Sequence, residues 1–488
     1  MQYTFSPRHA RRCSLAHAIA SAFLACGLAD VALAHAGESI IRGQHPRTQI
    51  AATAASRGDV HPDGPRGDST VFVQNCSDAG PGSLRDAYAN SFDGLTIDLG
   101  QLNCSTITLA NGALVSADNS GYVTLKGPLG GVLIIDANHA SRAIIHRGGR
   151  IALHDLIVKN GFANNDTGGG CILSEGDVVL SESRVSGCEV STTGTTPALG
   201  GAIRSLGVTF VISSQILDSR AHAAAANADG GGVHAQYVIS AHQSTISGNV
   251  ASGDGSHYAR GGGAYGREGM RIDDCTMAGN QATSGGAAFI GSASFHSSRF
   301  VDSTISNNSV DGAGGGIHSN FSVEVDNSTI VGNQAYFDFG AGLYLAAGSA
   351  QVHSTIIAGN TTGDGLNAAD IGGHAGATLS GDHNLVLAST LTLPPDTINQ
   401  QPMLGPLQDN GGGVATMALL PGSPAIDTGA NPRNLYEDGR GYECPPTGRC
   451  TEFERTVGAA TDIGAYEFGA PNHIFGDSFE MDALAGPG

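Results

Sequence analysis

Between Gly168 and Asn360 this chain repeats one short pattern seven times: a Gly-Gly pair, a brief apolar run, then Ser-Thr-Ile or a near variant, usually closed by Asn. The copies begin at Ser183, Ser214, Ser244, Cys275, Ser303, Ser328 and Ser354, spaced 25 to 31 residues apart. A repeat of that length with strand-like content cannot bury its apolar face alone. It must stack on its neighbours, which predicts a β-solenoid.

Within each copy the third position is apolar (Val185, Ile216, Ile246, Met277, Ile305, Ile330, Ile356) and the second is mostly polar (Arg184, Gln215, Thr245, Thr276, Thr304, Thr329, Thr355). Alternation with period two marks a strand with one buried face. The expectation is a single inward stack of Ile246, Met277, Ile305, Ile330 and Ile356, one coil apart. Gly pairs such as Gly200-Gly201, Gly262-Gly263 and Gly315-Gly316 punctuate the strands and permit positive φ. Asn249, Asn280, Asn308, Asn333 and Asn360 should stack into an amide ladder. Helical periodicity is nearly absent after residue 90; GSLRDAYAN (Gly82–Asn90) reads as a short helix capping the first coil.

Composition agrees: Gly is 72 of 488 residues, charged residues are 14% and Trp is absent, as in a turn-rich β protein. Residues 1–34 read as a signal peptide, with Arg8, Arg11 and Arg12 ahead of an apolar stretch and Ala32-Leu33-Ala34 before the cut; Phe23-Leu24-Ala25-Cys26 offers a lipoprotein alternative. Residues 35–70 read as a disordered leader, 71–115 as an N-terminal cap with the first strands, 116–395 as coils, 396–469 as a closing cap and 470–488 as a tail or sorting signal. No other apolar run reaches the ~20 residues of a membrane helix. A net charge of −20 disfavours nucleic acid and anionic lipid. Six cysteines pair by proximity in sequence or stacking, Cys76 with Cys104, Cys171 with Cys188 and Cys444 with Cys450, which suits an exported protein. Cys275 replaces the inward Ser of its copy and is expected to be a buried free thiol. No zinc-type spacing of Cys and His occurs, so no structural metal is expected.

The segments VFVQNCSDAGPGSLRDAYAN and LTIDLGQLNCSTITL resemble the N-terminal cap of secreted bacterial right-handed parallel β-helix proteins, and IIDANHASRAIIHRGGRIALHDLIVKNG looks like their first full coil. SPAIDTGA (Ser423–Ala430), DGRG (Asp438–Gly441) and DIGAYEFG (Asp462–Gly469) match the closing domain of the choice-of-anchor Q group. The resemblance spans roughly Val71–Gly469. It implies an all-β fold, a single-stranded right-handed parallel β-helix of the pectate-lyase-like kind, and an extracellular or outer-membrane address in a Gram-negative bacterium. It implies a scaffold more than a reaction.

Candidate chemistry is sparse. A β-helix polysaccharide lyase needs a base and a cation facing a uronate carboxylate. Lys159 at the end of LIVK, with Arg184 about one coil on and Asp155 and Glu182 flanking, is the best such set, and calcium (Ca2+) would be its cation; otherwise no cofactor is expected. A glycoside hydrolase needs two carboxylates within ~5–10 Å. Asp273-Asp274 is the one adjacent acidic pair in the coils, and adjacency suggests a turn. After each Gly pair a further column reads Ile172, Ile203, His234, Tyr265, Ala288, His318, Tyr344. If it faces outward, His234, Tyr265, His318 and Tyr344 form a stripe that a sugar or partner protein could use. The favoured reading is a monomeric exported scaffold for adhesion or contact with a polysaccharide or surface protein. The alternative is a polysaccharide lyase or hydrolase acting on an acidic polysaccharide. Regular repeats favour the first, because an active cleft needs convergent charges.

Overall fold

The computed structural model describes residues 69–129, 132–164, 168–255, 257–291, 298–336, 340–363, 369–443, 450–470 and 473–475. The signal peptide, the leader to residue 68, residues 476–488 of the tail and the Cys444–Cys450 pairing lie outside them. The described residues form a parallel β-helix. Its strands build a twelve-stranded, an eleven-stranded, a ten-stranded and an eight-stranded sheet, with a small three-stranded one at a corner. One coil shows the route. Val238–His242 lies in the twelve-stranded sheet, Thr245–Ser247 in the eleven-stranded, Val250–Gly253 in the eight-stranded and Ala264–Gly266 in the ten-stranded. Gly269–Asp273 then begins the next coil, paired in parallel with Val238–His242.

The expected inward stack is present. Val185, Ile216, Ile246, Met277, Ile305 and Ile330 are in register on successive strands and fully buried. One member is corrected: Ile330 pairs with Ile357, and Thr329 with Ile356. Ser354 sits in the corner with φ of 51°, so the last copy begins at Thr355. Ile356 therefore points outward, yet it is buried with Ala358, Leu385, Leu419, Ala425 and Ile463. An apolar side chain is tolerated there because the C-terminal segment covers it.

The amide ladder forms as the spacing predicts. Asn280 accepts from the backbone N–H and side-chain amide of Asn249, Asn308 from those of Asn280, Asn333 from those of Asn308 and Asn360 from those of Asn333, all at 2.8–3.1 Å. Asp370 continues it by accepting from Asn360. Positive φ falls on the residue opening the glycine runs at Gly200, Gly230, Gly261, Gly285 and Gly314. A Cβ on Gly230 would collide with the Val233 carbonyl, so only glycine fits that corner.

At the N-terminal end, helix α1 (Leu84–Ala89) is capped by Ser83, whose hydroxyl accepts from the Asp86 N–H, and it buries Leu84 and Tyr88. Cys76–Cys104 and Cys171–Cys188 are disulfide-bonded, and Cys275 is a buried free thiol. No helix among the described residues is long and apolar enough to cross a membrane.

Candidate functional site

Lys159 ends the strand Leu156–Lys159 and keeps its ammonium partly exposed, 3.3 Å from Asp136 on the neighbouring strand. Burial alone would raise the Asp136 carboxyl. Hydrogen bonds from the Asn138 N–H, Asn160 and Lys159 hold it below its ordinary value instead. Arg184 opens the next strand opposite Ile157, while Lys159 lies opposite Ser186. The Arg184 Nε donates to Gln215 at 2.7 Å. The two basic groups share a sheet face, but each is turned to its own partner. Asp155 and Glu182 sit in the corner between the twelve- and eleven-stranded sheets, with φ of 55° and 50°.

Asp273 and Asp274 straddle that same corner. Asp273 ends its strand and pairs with Arg299 at 2.9 Å; Asp274, with φ of 52°, faces His242 at 3.2 Å. The turn that adjacency suggested is present, and the two carboxylates answer to different partners.

The ring column also forms, with corrected membership. The register is Leu173, Arg204, His234, Tyr265, Phe289, His318, Tyr344, so Ile172, Ile203 and Ala288 belong to the neighbouring inward column. Successive ring centroids from His234 to Tyr344 lie 5.1, 5.5, 4.5 and 5.0 Å apart. His234, Tyr265, Phe289 and His318 are buried rather than open to solvent, and Tyr344 is half-buried. Arg260, paired with Asp229 at 2.7 Å, lies over Tyr265 and Phe289 at 5.0 and 5.4 Å. Burial and nearby Arg204 pull the His234 imidazole down to about 3; burial takes His318 to about 4. Both rings are neutral through the physiological range.

The densest charged constellation was not foreseen as such. It lies where the C-terminal segment folds back on the corner between the twelve- and eleven-stranded sheets. Asp438 accepts from the N–H, Nε and Nη2 of Arg440 and from the Glu467 N–H. The Arg440 guanidinium is held between Phe453 and Tyr466, 3.9 and 4.1 Å from the ring centroids. Arg455 is fully buried, donates to the carbonyls of Asp462 and Gly464, and places Nη1 3.1 Å from buried Asp302, as a charge contact rather than an aligned hydrogen bond. Arg433 reaches Glu324 at 2.6 Å and also pairs with Asp326. Gly439 has no room for a Cβ against the Asp302 carbonyl, nor Gly441 against the Gln243 side chain. The signal was in the sequence: these are the acids, arginine and glycines of DGRG and DIGAYEFG. The acids and Arg440 are partnered within the segment, whereas Gly439, Gly441 and Gly464 meet Asp302, Gln243 and Ile356 of coils more than a hundred positions earlier, which no local pattern reveals.

Among the described residues no group of three or more His, Cys, Asp or Glu is placed to hold a metal ion. No protein-family description matches the chain, and no curated protein does. Among solved structures it is similar to the crystal structure of pectate lyase Pel9A, at 12% sequence identity and a TM-score of 0.44, with 82% of this chain and 97% of that chain covered.

Proposed function

We propose that this protein is an exported β-helix scaffold of the choice-of-anchor Q group that contacts a polysaccharide or a surface protein, and that it carries no reaction of its own. One observation carries the reading: the outward basic groups that a lyase would need are engaged by partners within the fold. Lys159 is held by Asp136, and Arg184 by Gln215. A general base must be able to reach its substrate's proton. Export is supported by the two disulfides, which persist in oxidising compartments, and by the charged-then-apolar start of the chain. In the outward column of the twelve-stranded sheet, Phe210, Ser240, Arg271 and Gln351 offer ring, hydroxyl, cationic and amide groups for contact, while Arg299 and Glu324 of the same column are engaged by Asp273 and Arg433.

The test pairs a glycan array with an absorbance assay for unsaturated uronates on the exported protein. Binding without cleavage of pectate, alginate or chondroitin, with or without calcium, is expected. Cleavage that Lys159→Ala abolishes while the fold persists would replace the scaffold reading with the lyase one.

A further inference from the structure

Five carboxylic acids are buried where the C-terminal segment meets the coils: Asp302 and Asp326 from the coils, and Asp438, Asp462 and Glu467 from the segment. Among the described residues only two guanidiniums, Arg440 and Arg455, are buried with them, and Arg433 reaches in from the rim. If every acid were ionised, the contact would enclose more negative than positive charge. A low-dielectric interior penalises unbalanced charge, and like charges held together push one another toward the neutral form. No metal-binding group among the described residues offers a cation as the remedy. Protons are the remaining one. We propose that docking of residues 402–443 and 450–470 on the coils takes up protons, so that the segment is a clasp which acid tightens and a rise toward neutral and alkaline pH loosens.

The surroundings of each group support the direction. Asp302 faces Arg455 and three other acids, Asp274, Asp438 and Asp273; burial, which Arg455 only partly offsets, drives its carboxyl well up. Asp462 faces Arg455 and Asp427, and accepts from the N–H groups of Asp427 and Phe468; burial raises it nonetheless. Asp326 faces Arg433, His353 and Glu324, and burial raises it too. Glu467 faces Arg455 and Asp462 and accepts from the N–H groups of Val457 and Asp462; burial lifts it to about 7. Asp274 faces His242, Asp273 and Asp438 and is raised by burial. His242 would be lowered by its burial, but Asp274, Asp273 and Glu437 raise it.

Asp302, Asp326, Asp462 and Glu467, which the contact buries, bind a proton more tightly docked than free, while the Asp274–His242 pair belongs to the coils themselves. Each of those four contributes fully below its undocked value, and the contribution is lost as pH rises through the docked value. For Glu467 that window runs from the ordinary carboxylate range to about 7.

Hydrogen exchange on the full exported chain tests this. The Gly464 N–H donates to the Ser354 carbonyl and the Ala465 N–H to the Thr329 hydroxyl, so both amides report docking directly. Their protection, corrected for intrinsic exchange, should fall at least about tenfold between pH 5 and pH 8, the factor that one pKa unit commands. Coil amides such as Ile305 should not follow. Glu467→Gln and Asp302→Asn should each flatten the dependence. Protection that is constant or grows with pH overturns the proposal. So does a dependence that neither variant alters, or protection restored at pH 8 by millimolar calcium alone.

Discussion

The Thr329 hydroxyl accepts the backbone N–H of Ala465 at 3.0 Å, across 136 residues of chain. Thr329 belongs to the second, outward position of the repeat and, like Thr276 and Thr304 before it, is buried there, at 1% exposure. Thr329→Val keeps the shape and removes the acceptor. The orphaned N–H should cost about 1–3 kcal/mol of docking. Hydrogen exchange at Ala465 should accelerate while the Met277–Ile305–Ile330 stack keeps its protection.

The corrected register makes Ile356 and Ile357 distinguishable. Ile357 continues the inward stack and Ile356 faces the C-terminal segment. Each Ile→Ala change should cost about 2–5 kcal/mol through lost burial and a cavity. Ile357→Ala should lower the denaturation midpoint of the coils, whereas Ile356→Ala should chiefly speed proteolysis of residues 402–470. Ile305→Asp buries an unpartnered charge and should unfold the neighbouring coils outright.

The coils were legible in the sequence because their information is local. Alternation set the inward face, and the Ser, Ile and Asn columns each recur at a fixed offset. The slip at Ile356 was avoidable: Asn280, Asn308 and Asn333 each stand five positions after their copy's start, and Asn360 stands five after Thr355, not Ser354. The ring column slipped in the same way at Leu173, Arg204 and Phe289. What local pattern could not supply is cover. Period two separates inward from outward and says nothing about which outward residues another segment buries. The outward, buried Ile356 and the glycines of DGRG and DIGAYEFG depend on packing across a hundred residues or more.

The ring column predicts a pH response opposite to that of the clasp. His234 and His318 are depressed to about 3 and about 4, so each stabilises the coils above its unfolded value near 6.5 and loses that contribution as pH falls toward the folded one. Their NMR resonances should not titrate between pH 5 and pH 8. Coil stability should drop below pH 6, and His234→Phe should reduce the drop.

Asn308 both donates to the Met277 carbonyl at 3.0 Å and accepts two N–H groups from Asn280. Asn308→Ala leaves those donors without an acceptor in a site with no exposure. A loss of about 1–3 kcal/mol for each orphaned group is expected in chemical denaturation, against near-neutral effects at exposed Gln281.

Mass mapping of the purified, unreduced protein should recover Cys76–Cys104 and Cys171–Cys188 as linked pairs. Cys275, whose thiol burial drives upward, should resist thiol reagents until the coils unfold.

The coils do not vary in length evenly around their circumference. Asn249 and Gly261 are twelve positions apart and Asn280 and Gly285 only five, yet the ladders on either side stay in register. A length change on that side is absorbed within its own coil and is not transmitted to the next. That side is where insertions and deletions can accumulate, and where a foreign peptide could be grafted while the asparagine and ring ladders keep their place.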